Sequence, residues 1–359
     1  MREAWGRNEE LLQILKVVAP GTELREGLEN ILKARTGALI VISDSEQVMA
    51  IADGGFKINE DYSPARLYEL AKMDGAIVLS KDAKKILLAN TQLIPDSTIP
   101  TVETGTRHRS GERVAKQTGE LVISISQRRN VITVFKGNIR YIIKDSSQVL
   151  SRANQALQTV ERYKTSFDEV MLTLNEFEFE DIVTLENVVK AIQRAELMMR
   201  VVVEVQSYII ELGDEGRLVD MQLKELSANL EEEEILIIKD YSLSKEKEDE
   251  ILNKISSFSH SELMDSSNIA KLFGYSIETS LENIEVTTRG YRQLTRIPKL
   301  PMNIIDNMVK GLGNFQDIIR ASIEELDDIE GIGEVRAKNI KQGIKRMQEQ
   351  TLYDSRYYR

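Results

Sequence analysis

Arg107, Arg109, one of the chain's two histidines and the hydroxyls of Thr104, Thr106 and Ser110 fall within Glu103-Thr-Gly-Thr-Arg-His-Arg-Ser-Gly-Glu-Arg113. Arginine carries a planar fork of donors that matches phosphate, and Gly105 just ahead lets backbone N–H groups approach an anion closely. The chemistry this composition suits is a polyphosphate cradle, with a solvated basic turn as the alternative. Some thirty residues upstream, Met73-Asp-Gly-Ala76 sets Asp74 beside a glycine. Two readings are open for Asp74: a turn aspartate, or a carboxylate held facing a cleft.

The residues that are missing narrow the chemistry further. The chain has no cysteine, which rules out disulfides, Cys-ligated zinc and a thiolate nucleophile, and His108 and His260 are its only histidines. Any metal must therefore sit on oxygen ligands. None of the glycines is followed by lysine, and no G-x-G-x-x-G or G-x-S-x-G occurs, so Walker A, Rossmann and hydrolase-elbow signatures are absent. His108 sits between two arginines whose field disfavours its protonation, a poor triad base. No run approaches the roughly 18 apolar residues of a membrane span, and Met1 to Glu10 is charged and unlike a signal peptide. The expectation is a soluble cytoplasmic protein of two or three domains.

The elements that must position these groups follow from periodicity. Leu11, Leu12, Leu15 and Val18 form one helical stripe and Leu24, Leu28, Ile31 and Leu32 another, separated by Pro20-Gly21. Ala38 to Ser43 and Ile77 to Ser80 are continuous apolar runs, as buried strands should be. Ser63-Pro64 starts a helix with serine as N-cap and proline at the first helical position, which puts Asp74 at a helix-to-strand junction. After Leu88 to Leu93 and a loop from Pro95 to Pro100, the spacing predicts a helix over Ser110 to Gln117, closed by Gly119. The arginines then lie at or just before a helix N-terminus, where unpaired N–H groups favour an anion. Strands at 121–126, 131–135 and 139–143 with short turns predict an antiparallel meander, and hence helices around a mixed sheet.

In the middle, Val149, Ala153, Ala156, Val160, Tyr163, Phe167, Val170 and Leu174 alternate spacings of four and three. That is a heptad seam along one long helix, either a two-chain coiled coil or the core of a helical bundle. Val188 to Val202 and Met221 to Ile238 continue with helical periodicity, and Lys245 to Glu250 is a charged, solvated stretch.

From Thr287 onward thirteen Lys/Arg stand against ten Asp/Glu, a net of +3, which leaves -14 for the rest of a chain whose total is -11. That asymmetry points to nucleic acid at this end. Ser322 and Glu325 form a capping-box pattern; Ile329-Glu-Gly-Ile-Gly-Glu334 is a tight turn, and a basic helix follows from Val335 to Met347. This resembles a helix-hairpin-helix motif, in which amides at the second helix's start grip a phosphate. Gly331, Ile332, Gly333, Arg336, Lys338 and Lys341 are the candidate contacts. Ile297-Pro-Lys-Leu-Pro301 with Ile304, Ile305 and Met308 looks like a first, degenerate hairpin that lacks the glycine pair.

Together, Met73-Asp-Gly-Ala76 and Gly105-Thr-Arg-His-Arg109 resemble the two signature motifs of the diadenylate cyclase family. With its helical middle and hairpin end, the whole chain is similar to the DNA-integrity-scanning branch of that family. The resemblance implies a multidomain α/β plus all-α chain: a mixed-sheet α/β catalytic domain over 1–145, a helical linker and oligomerisation spine over 146–286, and a helix-hairpin-helix domain over 287–359. It implies condensation of two ATP into cyclic di-AMP and two pyrophosphates, with Mg2+, or Mn2+ in its place, as the cofactor. Asp74, Arg107, His108 and Arg109 would be catalytic, with Asp74 on the metal. Gly75, Ala76, Leu93, Gly105, Thr106, Ser110, Ser126 and Arg128 would join those basic residues around the nucleotide. Ser110 stands where the family has threonine, and its hydroxyl is kept. The resemblance also implies an octamer, cytoplasmic and nucleoid-associated, without a membrane, in which branched DNA inhibits synthesis. Two other readings remain: a DNA-binding structural protein that only senses nucleotide, and a nuclease using Asp74 and the arginines.

Overall fold

The computed structural model of the protein describes residues 9–357. The charged start before Glu9, Tyr358 and Arg359 lie outside the described residues. Among the described residues the fold has two compact units, one comprising residues 9–155 with Val205–Met221, the other Ala156–Glu204 with residues 222–357.

In the first unit, α1 (Glu9–Val17) and α2 (Glu23–Lys33) precede β1 (Ala38–Ile42), α3 (Glu46–Ala50), β2 (Ala52–Asp53), β3 (Phe56–Asp61) and α4 (Pro64–Leu70). Then come β4 (Ala76–Leu79), β5 (Lys85–Leu93), α5 (Thr106–Thr118), β6 (Leu121–Ser126), β7 (Val131–Lys136) and β8 (Ile139–Ile142). The sheet order is β2-β5-β4-β1-β6-β7-β8, with β3 also paired to β5. Only β1 and β4 run parallel among the described pairs, so the sheet is mixed, and β6 to β8 are the antiparallel meander the turns predict. Every residue of β1 and β4 is buried because helices cover both faces. Ile40, Ile77 and Ile123 pack under α1, α2 and α4, while Val41, Val78 and Val122 on the other face pack under α3 and α5.

The segment from Leu88, to which the sequence reading assigns no element, is part of a nine-residue strand, β5, whose burial alternates along its length, with β2 and β3 paired along it. One predicted helix start is different in the structure. Helix α5 starts at Thr106 and not at Ser110, because Gly105 in extended conformation serves as its N-cap. The predicted Ser63 cap is present, its hydroxyl accepting the Arg66 N–H at 3.2 Å.

Helix α6 (Ser146–Glu180) contributes to both units and leads into α7 (Leu185–Leu212). Its buried stripe runs through Val149, Ala153, Leu157, Val160, Phe167, Met171 and Leu174, so it drifts from the expected Ala156 to Leu157 and from Val170 to Met171. A 3.6-residue helix drifts in this way unless a partner holds it at 3.5, and burial within one chain fits a bundle core. The chain continues through α8 (Arg217–Leu226), inside which the division between the units falls, and the second unit through α9 (Leu230–Tyr241), α10 (Glu248–Ser257), α11 (His260–Met264) and α12 (Ser266–Leu272). It ends with α13 (Tyr291–Thr295), α14 (Met302–Leu312), α15 (Phe315–Arg320), α16 (Ile323–Asp327) and α17 (Glu334–Tyr357). Among the described residues no helix is long and apolar enough to cross a membrane.

A buried polar network ties α6, α9 and α13 together. Glu178 accepts from Arg292 Nη2, Gln293 Nε2 and Tyr241 OH, each at 2.6 Å, and Asp240 caps α13 by accepting the N–H groups of Tyr291 (2.6 Å) and Arg292 (3.0 Å). Burial, with the neighbouring Glu178 carboxylate, pushes Asp240 up to about 7, against the opposite pull of the two N–H groups and Arg292. A carboxyl whose pKa is raised on folding contributes stability below its unfolded value, and that contribution is lost as pH rises through the folded value. Thermal unfolding of the full chain is therefore expected to show a Tm that falls between about pH 4 and 7 in a way Asp240→Asn flattens. An unchanged pH profile in the variant would remove Asp240 as the titrating group.

Candidate functional site

Helix α5 begins without a side-chain cap, and its first backbone bond runs from the Arg109 N–H to the Gly105 carbonyl at 2.8 Å. The N–H groups of Thr106, Arg107 and His108 precede that bond and are left for a ligand, at the positive end of the helix dipole. The helix is pinned from behind. Glu112, buried on α5, accepts from the Thr101 hydroxyl and from the Val102 N–H at 3.2 Å, and pairs with Lys116 at 2.7 Å. Burial raises the Glu112 pKa, but hydrogen bonds from Lys116 and Thr101 outweigh it and hold the carboxyl below its ordinary value. The 94–105 loop is thereby fastened to the helix that it feeds.

A cleft of 420 Å³ opens at that helix start. It is lined by Leu39 of β1, Gly75 and Ala76 at the entry to β4, Asn90 to Leu93 at the end of β5, and Thr106, Arg107 and Ser110 of α5. Asp74 stands at the rim, fully exposed, with Oδ1 3.4 Å from Arg107 Nη2. What holds Asp74 there is its neighbour: Gly75 has φ +91°, and a Cβ on it would lie 2.8 Å from the Asn90 carbonyl carbon and 2.9 Å from the Thr91 oxygen. Only glycine allows β4 and β5 to close up at this point.

The structure thus brings Gly75, Ala76, Leu93, Thr106, Arg107 and Ser110 to one cleft, with Asp74 and Gly105 beside it. Arg109 is exposed on α5 and does not line the cleft. His108 points the other way, toward the sheet: it is buried, its Nδ1 lies 3.0 Å from Ser124 Oγ, and its ring stands edge-on to Phe135. Its pKa is lowered chiefly by burial, with Arg129 and Arg140 adding to the effect against Glu103, so the flanking arginines are not the main cause. Ser126 is half-buried and caps its own turn by accepting the Arg129 N–H at 3.2 Å, while Arg128 is exposed. Neither lines the cleft.

Several residues of the site carried no sequence signal. Asn90, Thr91 and Gln92 reach the cleft because β5 ends there. Glu103 is buried as an anchor, 2.6 Å from Arg140 Nε and 3.9 Å from Arg129 Nη1. Arg129 also donates to the Thr104 hydroxyl at 3.3 Å, so the β6–β7 turn holds the approach to α5. Among the described residues no group of three or more His, Cys, Asp or Glu side chains could hold a metal ion. The lone Asp74 still fits Mg2+, which keeps several waters and takes one or two carboxylates together with substrate phosphates.

The C-terminal hairpins are a second candidate site. The capping box at Ser322 and Glu325 is formed, and Gly331 turns the chain at φ +86° before α17. Ile332 is buried in the hairpin core while Gly331 and Gly333 are exposed. Arg336 Nη1 donates to the Gly331 carbonyl, and Lys338 pairs with Glu334. Lys341 is occupied differently, donating to the carbonyls of Ile319 (2.6 Å) and Ala321 (2.8 Å) at the end of α15. The first hairpin is formed between α13 and α14. Lys299, at φ +64°, takes the backbone conformation of Gly331, and Leu300 is buried as Ile332 is. Pro301 stands where Gly333 does and has no N–H to offer. Lys299, Arg336 and Arg346 all line a cleft of 620 Å³ between the first hairpin and α17.

Residues 25–139 match the family model described as the DisA bacterial checkpoint controller nucleotide-binding domain, and residues 143–282 match that of its linker region. Residues 314–342 match the helix-hairpin-helix motif. The DNA integrity scanning protein DisA of Acetivibrio thermocellus is 55% identical over 98% of this chain and 98% of its own. The protein of the same description from Clostridium botulinum is 54% identical over 97% and 98%. A solved structure described as a hypothetical membrane spanning protein from Bacillus cereus has 22% identity and a TM-score of 0.31, covering 34% of this chain and 62% of its own.

The close approach at Gly75 makes one outcome specific. Gly75→Ala is expected to destabilise the chain by about 1–2 kcal/mol from the left-handed backbone alone, and to weaken ATP binding in calorimetry as Asn90 and Thr91 give way. Wild-type affinity in that variant would show that the β4–β5 approach does not shape the cleft.

Proposed function

The chain belongs to the DNA integrity scanning family and is a diadenylate cyclase, a nucleotidyltransferase; from that premise we propose that two copies condense two ATP into cyclic di-AMP. One observation carries the assignment of the site: the uncapped start of α5, Arg107 and the Asp74 carboxylate converge on one cleft. Each subunit binds one ATP, its polyphosphate held by Thr106, Arg107 and the free amides of α5, with Ser110 adding a hydroxyl and Arg109, exposed on the same helix, adding positive charge from outside the cleft. Arg107 is aimed at that task, and His108 acts by seating the helix on β6. Gly75, Ala76 and Leu93 line the nucleotide pocket, and Ser126 and Arg128 contribute a further phosphate contact.

Each 3′-oxygen attacks the α-phosphorus of the opposite ATP, the bond to pyrophosphate breaks, and the hydroxyl proton leaves by way of Asp74 to solvent. Because the product is two-fold symmetric and each cleft brings one half, a single subunit is inactive. Asp74 with the nucleotide's phosphates would hold Mg2+, or Mn2+ in its place, and the ion supplies positive charge that offsets the phosphates' repulsion of the nucleophile.

The hairpin end binds DNA backbone without reading sequence, through the amides of Gly331 and Gly333 and through Arg336 and Lys338, while Ile332, whose N–H bonds the Ile329 carbonyl at 2.9 Å, and Lys341 hold the turn and the helix in place. Branched DNA is the preferred form and inhibits synthesis. The catalytic, linker and hairpin domains span 1–145, 146–286 and 287–359, the assembly is an octamer, and its place is the cytoplasm, on the nucleoid.

Purified protein with ATP and Mg2+ is expected to release cyclic di-AMP and two pyrophosphates, and Asp74→Asn to lower the rate about 100-fold or more with unchanged circular dichroism. ATP binding without pyrophosphate release would favour a nucleotide sensor, and degradation of branched DNA a nuclease. Gly333→Leu, where an added Cβ meets the Asp327 carboxylate at an ordinary contact of 4.0 Å, should weaken DNA binding about tenfold, the worth of one charge-assisted hydrogen bond, and leave basal synthesis intact. Equal DNA affinity in the variant would sink the hairpin assignment.

A further inference from the structure

Arg107 reaches the cleft by lying across bare backbone. Gly37, buried immediately ahead of β1, faces the guanidinium so closely that a Cβ on it would sit 2.5 Å from Arg107 Nη1 and 3.4 Å from Cζ. The other end of the same guanidinium, Nη2, is 3.4 Å from Asp74. The arginine is thus stretched between a backbone gap on one side and a carboxylate on the other, and it is only partly exposed. We infer that Gly37 is a positioning residue for Arg107: the missing side chain at 37 is what lets the guanidinium lie toward Asp74 and the cleft.

The surroundings of Gly37 make its role one of positioning and not of folding. Gly37 is not among the residues with left-handed backbone, so alanine is sterically permitted there. Apart from Arg107, the nearest atom to an added Cβ is the Ile125 carbonyl oxygen at 3.3 Å, a contact that a shift of a few tenths of an ångström relieves. The hard clash is with the far end of a flexible side chain, which can swing away. Alanine at 37 would therefore leave the sheet intact and move Arg107 out of the place where it meets Asp74. Pre-organisation of a fork-shaped donor is what makes arginine effective on phosphate, so its displacement is felt in nucleotide binding and turnover.

This inference rests on the diadenylate cyclase reading of the cleft, and the experiment separates the two. Tm, ATP affinity by calorimetry and kcat/KM for cyclic di-AMP formation are measured for the full-length wild type and for Gly37→Ala, Arg107→Ala, Arg107→Lys and both double variants. The expected result is a 10- to 100-fold loss in kcat/KM for Gly37→Ala, on the scale of a misplaced catalytic group, with weaker ATP binding and a Tm close to wild type. In the Arg107→Ala background, and in Arg107→Lys where the Nη1 atom is gone, Gly37→Ala should change ATP affinity less than twofold. A Tm loss in Gly37→Ala that disappears in Arg107→Ala also supports the inference, because the strain then runs through Arg107. Gly37→Ala with wild-type affinity and turnover overturns it, as does an effect of equal size in the Arg107→Ala background. A wild-type protein that binds ATP but makes no cyclic product overturns the functional reading alone, and the affinities still decide Gly37; one that does neither overturns both.

Discussion

A helix start with no side-chain cap is the constraint on which the catalytic unit depends. Helix α5 leaves its first amides unpaired and adds two arginines to them, an arrangement that repels itself electrostatically until an anion arrives. The fold must therefore hold α5 down by other means. It does so with Val114 and Ala115 packed against β1, β4, β6 and β7, with the His108–Ser124 hydrogen bond inside that face, and with Glu112 gripping the incoming loop. Burying Glu112 is tolerable because its oxygens are met by a lysine, a hydroxyl and an amide. The cost of an open cradle is met by contacts behind it.

The cleft lies where the chain enters β1 and β4, beside the end of β5. That placement follows from the mixed sheet. Because β5 returns antiparallel from β4, its last residues stand beside the first residues of β4, and Asp74 is carried to the same end as the start of α5. Glycines serve this convergence in two ways. Gly75 lets strands approach through an unusual backbone angle, and Gly37 leaves room for a side chain arriving from another element.

The second unit meets a similar problem with charge in its interior. Arg292, Glu178 and Asp240 are fully buried, and they are tolerated because each has ionic or backbone partners. The network fastens α13, and with it the first hairpin, to α6 and α9. The two hairpins share one hydrophobic core through Ile297, Leu300, Ile332 and Ile340, so neither is an independent module. Their backbones repeat while their chemistry differs: one presents exposed glycines, the other Lys299 and a proline.

Sequence alone determined the features that depend on neighbours along the chain. Apolar runs marked β1, β4 and β6, Ser63 and Ser322 marked helix starts, and the turn at Gly331 marked the second hairpin, because strand burial, capping and left-handed turns are local physics. The resemblance to the diadenylate cyclase signatures, and not local physics, put Asp74 and Arg107 in one site before their 3.4 Å approach was visible. Tertiary structure alone decided what depends on packing between distant segments. Strand β5 was illegible because its polar residues face a cleft that exists only after folding, and His108 could not be told from a cleft residue until Ser124 was seen beneath it. Lys341 looked like its basic neighbours until the carbonyls of Ile319 and Ala321 took its charge. Gly37 gave no signal of any kind, since an absent side chain acquires meaning only from the arginine that another element lays across it.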